Sequence, residues 1–252
     1  MTDTIRIEKF FREQISKSLQ KEIEMCCLST QVVTYIYEDF ENEISSTRKF
    51  RESASRFNYD VLNVSKEKRH VGNAAVLRLL YEAYKQLSGP VIYADGADTF
   101  FLNTVQVPAD KILYSTEKAV WPPSQKMHAA WASFYPDAIP TPWAYLNGGS
   151  YCGPAELIAE FFERYIIPNL HSVTDDGQAQ GVQAIAMMDA KHEGFPIELD
   201  VFCEQFQTIA FSDPGDFSTH GGVLVNNLTG SKPALIHGNG RTEMGWVYDL
   251  AK

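Results

Sequence analysis

Two aspartates, Asp95 and Asp98, directly follow the apolar run Gly89–Ala94 and are well suited to metal chemistry. Carboxylates three residues apart, placed where a buried strand ends, present hard oxygen ligands. Such ligands suit Mg²⁺ or Mn²⁺, ions that neutralise a diphosphate. Aspartate-rich turns also occur without a metal, so a simple turn is the alternative interpretation of this pair.

A histidine late in the chain could complete such a site. The apolar run Ala234–Ile236 leads into His237, which opens the glycine-rich turn His237–Gly240. A single histidine after a strand is more often structural than a ligand. However, two aspartates seldom complete a hard-metal site, and Mn²⁺ accepts imidazole. The sequence therefore offers Asp95, Asp98 and His237 as one ligand set.

Two further segments have residue types that could contact an anion or a sugar. We expect Tyr145–Gly153 to form a glycine-rich loop that opens onto a helix over Ala155–Tyr165, where backbone amides could approach an anion. A tight turn without a ligand is the alternative. Asp175 and Asp176 begin another helix, where capping explains one carboxylate and solvent exposure the other.

The elements that must position these residues alternate between strand and helix. We predict strands over Gln31–Tyr37, Val61–Val64 and Val91–Ala94, separated by a helical segment over 38–57 and a helix over Ala74–Tyr84. This alternation predicts an α/β sheet with parallel strands and right-handed crossovers. Ligands of such sheets bind beyond the carboxyl ends of the strands, where Asp95 and Asp98 lie. No GxGxxG or GKS/GKT motif indicates a dehydrogenase or P-loop protein.

The rest of the chain supplies short strands and one accessory helix. We predict strands over Lys111–Ser115, Ile197–Asp200 and Ile209–Phe211. Apolar residues recur at helical spacing near the N-terminus, which predicts an accessory helix over residues 1–30 that packs across a single domain over residues 31–252.

Composition and charge narrow the classes of protein. The 252 residues are 44% hydrophobic and 21% charged, which is typical of a globular protein. We expect no transmembrane helix, because no apolar stretch is long enough, and the charged first residues do not predict a secretory signal. The four cysteines have no zinc-site spacing, so we expect a reducing cytoplasm, of a bacterium or of a virus-infected host. A net charge of −10 argues against tight nucleic-acid binding but leaves room for a local basic patch.

Several of these segments together resemble the GT-A glycosyltransferase domain of the procollagen lysyl hydroxylases, and more distantly the collagen galactosyltransferases. They occur in the family's order between about Gln31 and Met244. The similar segments are Asp95–Asp98 (D-x-x-D), Ser115–Glu117 with Trp121-Pro122 (S-A-E and Trp-Pro), Leu146–Gly153 (L-N-S-G-G-F-I-G), Leu199–Thr208 (L-D-x-x-C-x-x-F-Q-T) and His237–Gly240 (H-G-N-G).

The resemblance implies a GT-A-like, Rossmann-type fold, with a mixed, mostly parallel sheet flanked by helices. It also implies a transferase that uses Mn²⁺, or alternatively Mg²⁺, and a UDP-sugar donor. The implied metal ligands are Asp95, Asp98 and His237. The implied donor contacts are Tyr35, Ile36 and Tyr37 at the end of the first strand, Asp95, Gly96 and Ala97 in the acidic motif, Trp121, and Gly240, Arg241, Thr242 and Glu243 after the histidine.

Departures from the family pattern lie in segments expected to contact the substrates, while the expected metal ligands are all present. Glu243 stands where the family has a lysine, and Arg241 could supply that positive charge instead. Ser150 replaces one family glycine. The family's D-D-D-Q run is here Asp175-Asp176-Gly177-Gln178, so the donor sugar and the acceptor stay undetermined.

The charge that develops on the sugar during transfer suggests further candidates for catalytic residues. The anomeric carbon gains oxocarbenium character, which a nearby carboxylate or amide stabilises. The candidates are Asp175, Asp176, Asn147 and Gln207. In an inverting reaction Asp175 or Asp176 could be the base for the acceptor hydroxyl, whereas in a retaining reaction the leaving phosphate could take the proton.

Three functions are compatible with these residues. The first is a UDP-sugar glycosyltransferase acting on a hydroxyl of a protein, a glycan or a small molecule. The second is a transferase that modifies hydroxymethylated bases of phage or viral DNA, for which the acidic composition is unfavourable. The third is a nucleotide-sugar-binding protein without catalysis. We expect no membrane partner, and the sequence assigns no oligomeric state.

Overall fold

The structure is a computed structural model that describes residues 29–37, 45–65, 69–96, 98–172, 176–221 and 223–249. Nearly all of the accessory helix expected over residues 1–30 lies outside these ranges, so that helix stays a prediction. No helix within the described ranges is long and apolar enough to cross a bilayer.

The described residues form eleven strands and six α-helices. The strands are β1 Gln31–Thr34, β2 Asp60–Asn63, β3 Pro90–Ala94, β4 Thr99–Phe101, β5 Ile112–Glu117, β6 Tyr145–Pro154, β7 Ile197–Leu199, β8 Phe206–Thr208, β9 Phe217–His220, β10 Val223–Asn226 and β11 Leu235–His237. The helices are α1 Ser45–Ser55, α2 Asn73–Tyr84, α3 Gln125–Phe134, α4 Ala155–Phe161, α5 Asp176–His192 and α6 Gly245–Asp249. A π-helical turn, Phe162–Ile166, and a 3₁₀ segment, Ile167–Ser172, extend α4.

Six strands form the central sheet, in the order β2-β1-β3-β6-β5-β7. β1 pairs in parallel with β2 and β3, and β5 with β7, whereas β6 runs antiparallel to both of its neighbours. Helices flank this sheet. The α/β class and the mixed, mostly parallel sheet predicted from the sequence are therefore confirmed.

Both faces of the central sheet are covered, which explains its continuous apolar strands. In β1, Val33 packs into a core with α2, α4 and α5, while Val32 packs into a second core with Phe50 of α1 and Phe206 of β8. Adjacent residues of a strand point to opposite faces, so each valine serves one core.

A second sheet of three strands, β4-β11-β8, lies beside the first. β11 is in its centre, antiparallel to β4 and parallel to β8. The segment Asp95–Asp98 connects β3 of the central sheet to β4 of this second sheet. The Asp95 amide donates to the carbonyl of Gly149 at 2.9 Å, and the Gly238 amide donates to the carbonyl of Asp98 at 2.7 Å. The acidic motif is therefore anchored to both sheets.

The expected glycine-rich loop over Tyr145–Gly153 is instead the strand β6. The prediction was wrong because glycines normally weaken a strand, whereas here β3 and β5 pair with β6 on its two edges. Buried Leu146, Tyr151 and Cys152 anchor it in the core.

The strand expected over Ile209–Phe211 is also wrong, since the strand lies just before it at Phe206–Thr208. Phe211 has a φ of 60°, which a strand cannot contain. β1 ends at Thr34, three residues earlier than expected. Beyond it, the Asn63 side chain takes the place of a strand partner: its Oδ1 accepts from the Ile36 amide at 2.9 Å, and its Nδ2 donates to the Ile36 carbonyl at 2.8 Å.

Candidate active site

Asp95, Asp98 and His237 come together at the junction of the two sheets. One ligand atom from each of the three residues lies within 4.8 Å of the other two. His237 ends β11, and its register partner Thr99 in β4 directly follows Asp98. His237 is buried, whereas both aspartates are half-buried. The group therefore has a rigid imidazole on the protein side and carboxylates toward solvent.

Asn147, in β6, fixes how the His237 ring presents its nitrogens. Asn147 Oδ1 accepts from the Gly149 amide at 3.0 Å, and Asn147 Nδ2 lies 3.2 Å from Oε2 of Glu117. These two contacts set the orientation of the amide. Its Oδ1 also lies 2.9 Å from Nδ1 of His237, which must therefore carry the hydrogen.

With a hydrogen on Nδ1, the neutral ring has its lone pair on Nε2. Nε2 lies 3.1 Å from Oδ1 of Asp98, so two hydrogen-bond acceptors face each other. This arrangement is favourable only with a positive charge between them, which a proton or a metal ion supplies. Two carboxylates and an imidazole oriented through Nδ1 are a donor set that fits Mn²⁺.

Two opposing effects act on the pKa of His237. Burial acts to lower the pKa of the imidazole, but the carboxylates of Asp98, Asp95 and Glu117 outweigh it and leave the pKa above its ordinary value of 6.5. The surroundings of His237 therefore favour a positive charge at Nε2, whether a proton or a metal ion carries it.

Glu117, at the end of β5, is the centre of a buried group of amides. Its carboxylate accepts from Asn147 Nδ2, from Asn239 Nδ2 at 2.6 Å and from Gln180 Nε2. Burial raises the pKa of Glu117, while the three amides and His237 oppose that rise. Glu117 and Asn239 lie in segments that resemble the family, but no role was predicted for either residue from the sequence. The signal was available for Glu117, because it too is a carboxylate at the end of a strand in an α/β sheet.

The glycines of β6 allow other side chains to approach its backbone. Asn147–Ser150 lie opposite the single residue Ser115 of β5, so β6 bulges at this point. A Cβ at Gly149 would lie 2.0 Å from Cε1 of His237, and one at Gly148 would lie 2.6 Å from Nε2 of Gln183. The position of the His237 ring therefore requires a glycine at 149, whereas the flexible end of Gln183 could shift to admit a Cβ at 148.

A cavity of about 360 Å³ opens in front of these groups. Trp121, 46% exposed, and Phe211, 71% exposed, lie in its wall. Tyr93 contributes to the floor, and its ring stacks on that of Tyr151 at 4.8 Å. The polar residues that line the cavity include Asp95, Asp98, Glu117, Asn147, His237 and Asn239, together with Asn73, Gln180 and Gln183. A concave cavity lined by aromatic side chains and several polar groups is typical of a small-ligand site.

The residues expected to contact the nucleotide lie at the end of β1. The rings of Tyr35 and Tyr37 meet His70 edge to face, at centroid distances of 5.8 and 6.0 Å. Tyr35, Ile36 and Tyr37 do not line the cavity, but Asn73, at the start of α2 shortly after His70, does. Gly96 lies against the same strand end, since a Cβ there would be 2.6 Å from Oγ1 of Thr34.

The residues expected near the diphosphate do not all line the same cavity. Gly240 lines the cavity with a φ of 68°. Thr242 lines a second, neighbouring cavity, and Glu243 is exposed and lines neither. The backbone of Arg241 follows Gly240 in a 3₁₀ turn. Ala97 lies outside the described residues.

Of the catalytic candidates whose side chains the structure describes, Asn147 lines the cavity and Gln207 does not. Gln207 is fully buried away from it: Nε2 donates to the carbonyl of Thr208 at 2.8 Å, and Oε1 accepts from Asn226 at 2.7 Å. Asp176 is the first residue of α5, and Asp175 lies outside the described residues.

Comparison with known proteins adds to this geometry. The model of a protein family described as the PLOD GT domain matches residues 41–248, which is most of the chain. The chain belongs to this family. Membership in the PLOD GT domain family confirms the resemblance found in the sequence and identifies the chain as a glycosyltransferase-family protein.

A similar structure is a "glycosyltransferase involved in the glycosylation of the major capsid of PBCV-1". That structure and this chain share 8% sequence identity with a TM-score of 0.47, and the match covers 88% of this chain and 99% of the other. No curated protein sequence matches the chain.

Proposed function

We propose that this member of the PLOD GT domain family transfers a sugar from a UDP-sugar to a hydroxyl acceptor in a Mn²⁺-dependent reaction. The observation that carries the proposal is the orientation of His237. Asn147 turns its Nε2 lone pair toward Asp98, in a cluster that also contains Asp95. Three ligand atoms that converge beside this lone pair, in the lining of a cavity, are an arrangement that a divalent cation can occupy in place of the proton.

Asp95, Asp98 and His237 would hold the metal. When bound, a divalent cation neutralises the charge that develops on the diphosphate as the sugar leaves. The imidazole in the ligand set favours Mn²⁺ over Mg²⁺, which prefers oxygen ligands alone. Arg241 is proposed to add a charge-assisted contact to the same phosphates.

Glu117 and its three amide partners are proposed to surround the donor sugar. The Glu117 carboxylate and the Asn147 amide oxygen are the negative ends of this group, so they can stabilise the positive charge that grows at the anomeric carbon. The exposed indole of Trp121 offers a flat surface to the nucleoside. Asp175 or Asp176 stays a proposed base for an inverting reaction.

The deciding experiment measures UDP release from a panel of UDP-sugars, with Mn²⁺ or with EDTA. We expect one donor to be hydrolysed in the presence of Mn²⁺, and release to stop in EDTA. Asp98→Asn should abolish this release, while Asp137→Asn, a change at an exposed aspartate away from the cavity, should leave it intact.

Two outcomes would contradict the proposal. Equal release of UDP in Mn²⁺ and in EDTA would show that the reaction does not depend on a metal. Binding of a UDP-sugar without any release, tested with hydroxylated peptides, glycans and hydroxymethylated DNA as acceptors, would identify a binding protein instead of an enzyme.

A further inference from the structure

A second cavity, of about 400 Å³, lies next to the first. It is bounded by the loop that follows β8, by the strands β9 and β10, and by α6. The residues that line it include Ile209, Ser212, Asp213, Phe217, Thr242 and Trp246. Its volume is within the range of small-ligand sites.

The two cavities are separated by one loop. Ala210 and Phe211 line the first cavity, whereas Ile209 and Ser212 line the second. Phe211 is 71% exposed and has a φ of 60°, a conformation that is uncommon for an aromatic residue. Such conformations are concentrated at ligand sites, where the surroundings maintain them. The loop is thus a ridge with an exposed aromatic ring at its top.

The lining of the second cavity combines an aromatic surface with neutral polar groups. The ring of Trp246 stacks on Phe217 with a centroid distance of 5.7 Å and an interplanar angle of 27°, and 39% of Trp246 is exposed. Thr219, Asp213 and Ser218 also line the cavity, and the Ser218 hydroxyl donates to Oδ1 of Asn227 at 2.6 Å. No lysine or arginine is among the described residues that line this cavity.

This lining matches one chemical class of ligand. A pyranose ring has an apolar face of C–H groups that packs on an indole, and a rim of hydroxyls that hydrogen-bond to hydroxyl and carboxylate oxygens. A phosphate-bearing ligand is disfavoured, because the described lining contains Asp213 and no basic side chain.

Sugar transfer also requires the acceptor to lie beside the donor. The reacting oxygen and the anomeric carbon must approach to about 3–3.5 Å, so the acceptor occupies space next to the first cavity. In that step the acceptor oxygen bonds to the anomeric carbon, the bond from that carbon to the phosphate oxygen breaks, and UDP leaves with the electron pair. The hydroxyl proton passes to a carboxylate base or to the departing phosphate.

We infer that the second cavity binds a neutral sugar ring of the acceptor, and hence that the acceptor is a glycan. One sugar packs on Trp246, and a neighbouring part of the glycan crosses the ridge at Phe211 and places its hydroxyl in the first cavity. This inference rests on the proposed function, because it assigns the first cavity to the donor.

The two cavities contain separate tryptophan reporters. Trp121 lies in the first cavity and Trp246 in the second, while Trp131 and Trp143 are buried. The indole N–H signals can be assigned in ¹H–¹⁵N NMR spectra with single Trp→Phe variants. UDP with Mn²⁺ should shift the Trp121 signal. Methyl glycosides of glucose, galactose, mannose, xylose, fucose and N-acetylglucosamine are the probes for Trp246.

We expect at least one glycoside to shift the Trp246 signal and to leave Trp121 unchanged. A panel in which no glycoside shifts Trp246 overturns the inference, as does a shift caused only by sugar-free, serine-containing peptides, which would make the acceptor a protein surface. Either result leaves the donor site intact, provided that UDP with Mn²⁺ still shifts Trp121. Failure of UDP to shift Trp121 would count against the proposed function instead.

Variants test the same inference through affinity. Trp246→Ala and, independently, Asp213→Ala should weaken binding of the responding glycoside about tenfold, and Trp246→Tyr should restore most of it. Leu228→Ala is the matched control, because Leu228 is an exposed apolar residue outside both cavities. Since Asp213 is exposed, its replacement should not disturb folding. Unchanged glycoside affinity in both Trp246→Ala and Asp213→Ala would contradict the assignment.

Discussion

Asn147 joins His237 to Glu117 through a single side-chain amide. Its Oδ1 lies 2.9 Å from Nδ1 of His237, and its Nδ2 lies 3.2 Å from Oε2 of Glu117. The Gly149 amide holds the same oxygen in place. A buried carboxylate thus determines, through Asn147, which nitrogen of the imidazole is available to a cation.

Replacement of Asn147 by alanine should weaken Mn²⁺ binding about 10- to 100-fold, although Asn147 is not a ligand itself. The loss arises because the His237 ring is no longer held in one orientation with its hydrogen on Nδ1. Electron paramagnetic resonance of free Mn²⁺ gives the affinity, and Asn103→Ala is the control at an exposed asparagine. An unchanged Mn²⁺ affinity would show that Asn147 does not orient the imidazole.

His237→Ala should affect metal and nucleotide unequally. We expect Mn²⁺ affinity to fall more than UDP affinity measured without a metal, because the imidazole is proposed to contact the cation and not the nucleotide. Calorimetric titrations of Mn²⁺ alone and of UDP in EDTA separate the two. Equal losses in both titrations would indicate a general disturbance of the site and would argue against a ligand role.

Gly149→Ala tests the close approach of His237 to β6. The added Cβ would lie 2.0 Å from Cε1 of His237, so the ring must move, whereas the backbone of Gly149 has no positive φ that excludes alanine. We expect a folded protein, checked by circular dichroism, with at least tenfold weaker Mn²⁺ binding. Gly215→Ala, where a Cβ would have no neighbour within 4 Å, should bind Mn²⁺ normally. Normal binding by both variants would contradict the packing described for His237.

The pH dependence of stability should reverse when Mn²⁺ is added. The pKa of His237 is raised above 6.5, so the folded protein holds this proton more tightly than the unfolded chain does. Without a metal, the contribution of His237 to stability is therefore present below pH 6.5 and is lost as the pH rises through the raised pKa. Mn²⁺ competes with that proton, so its affinity should increase over the same range.

Thermal unfolding of the wild type and of His237→Ala between pH 6 and pH 8.5, in EDTA and in Mn²⁺, measures this effect. The difference in stability between the two proteins should shrink with pH in EDTA and grow with pH in Mn²⁺. A difference that is independent of pH in both conditions would show that His237 does not exchange a proton for a metal.

The grouping of Asp95, Asp98 and His237 could be predicted from the sequence because each of these residues lies at or just after the end of an apolar strand. Asp95 and Asp98 follow β3 and His237 ends β11, so simple rules about strand ends locate them. The same rule applies to Glu117 at the end of β5, whose role was missed although its position was equally informative.

Other parts of the site depend on contacts between distant segments, which a sequence does not display. β6 was expected to be a loop because its glycines suggest one, yet they serve the approach of His237 and Gln183 from other elements. Gln207 has a suitable side chain, but pairing with Asn226 buries it away from the cavity. Likewise, β1 ends at Thr34 and β8 ends at Thr208 because pairing with neighbouring strands ends there.

The position of the acidic motif between the two sheets has a mechanical consequence. A cation shared by Asp95, Asp98 and His237 would cross-link segments that are separated by more than half of the chain. The ion can close this long loop only when the domain is folded. Ion binding should therefore stabilise both sheets together, as one cooperative unit. Chemical denaturation in Mn²⁺ should therefore show one transition at higher denaturant, in which both sheets unfold together.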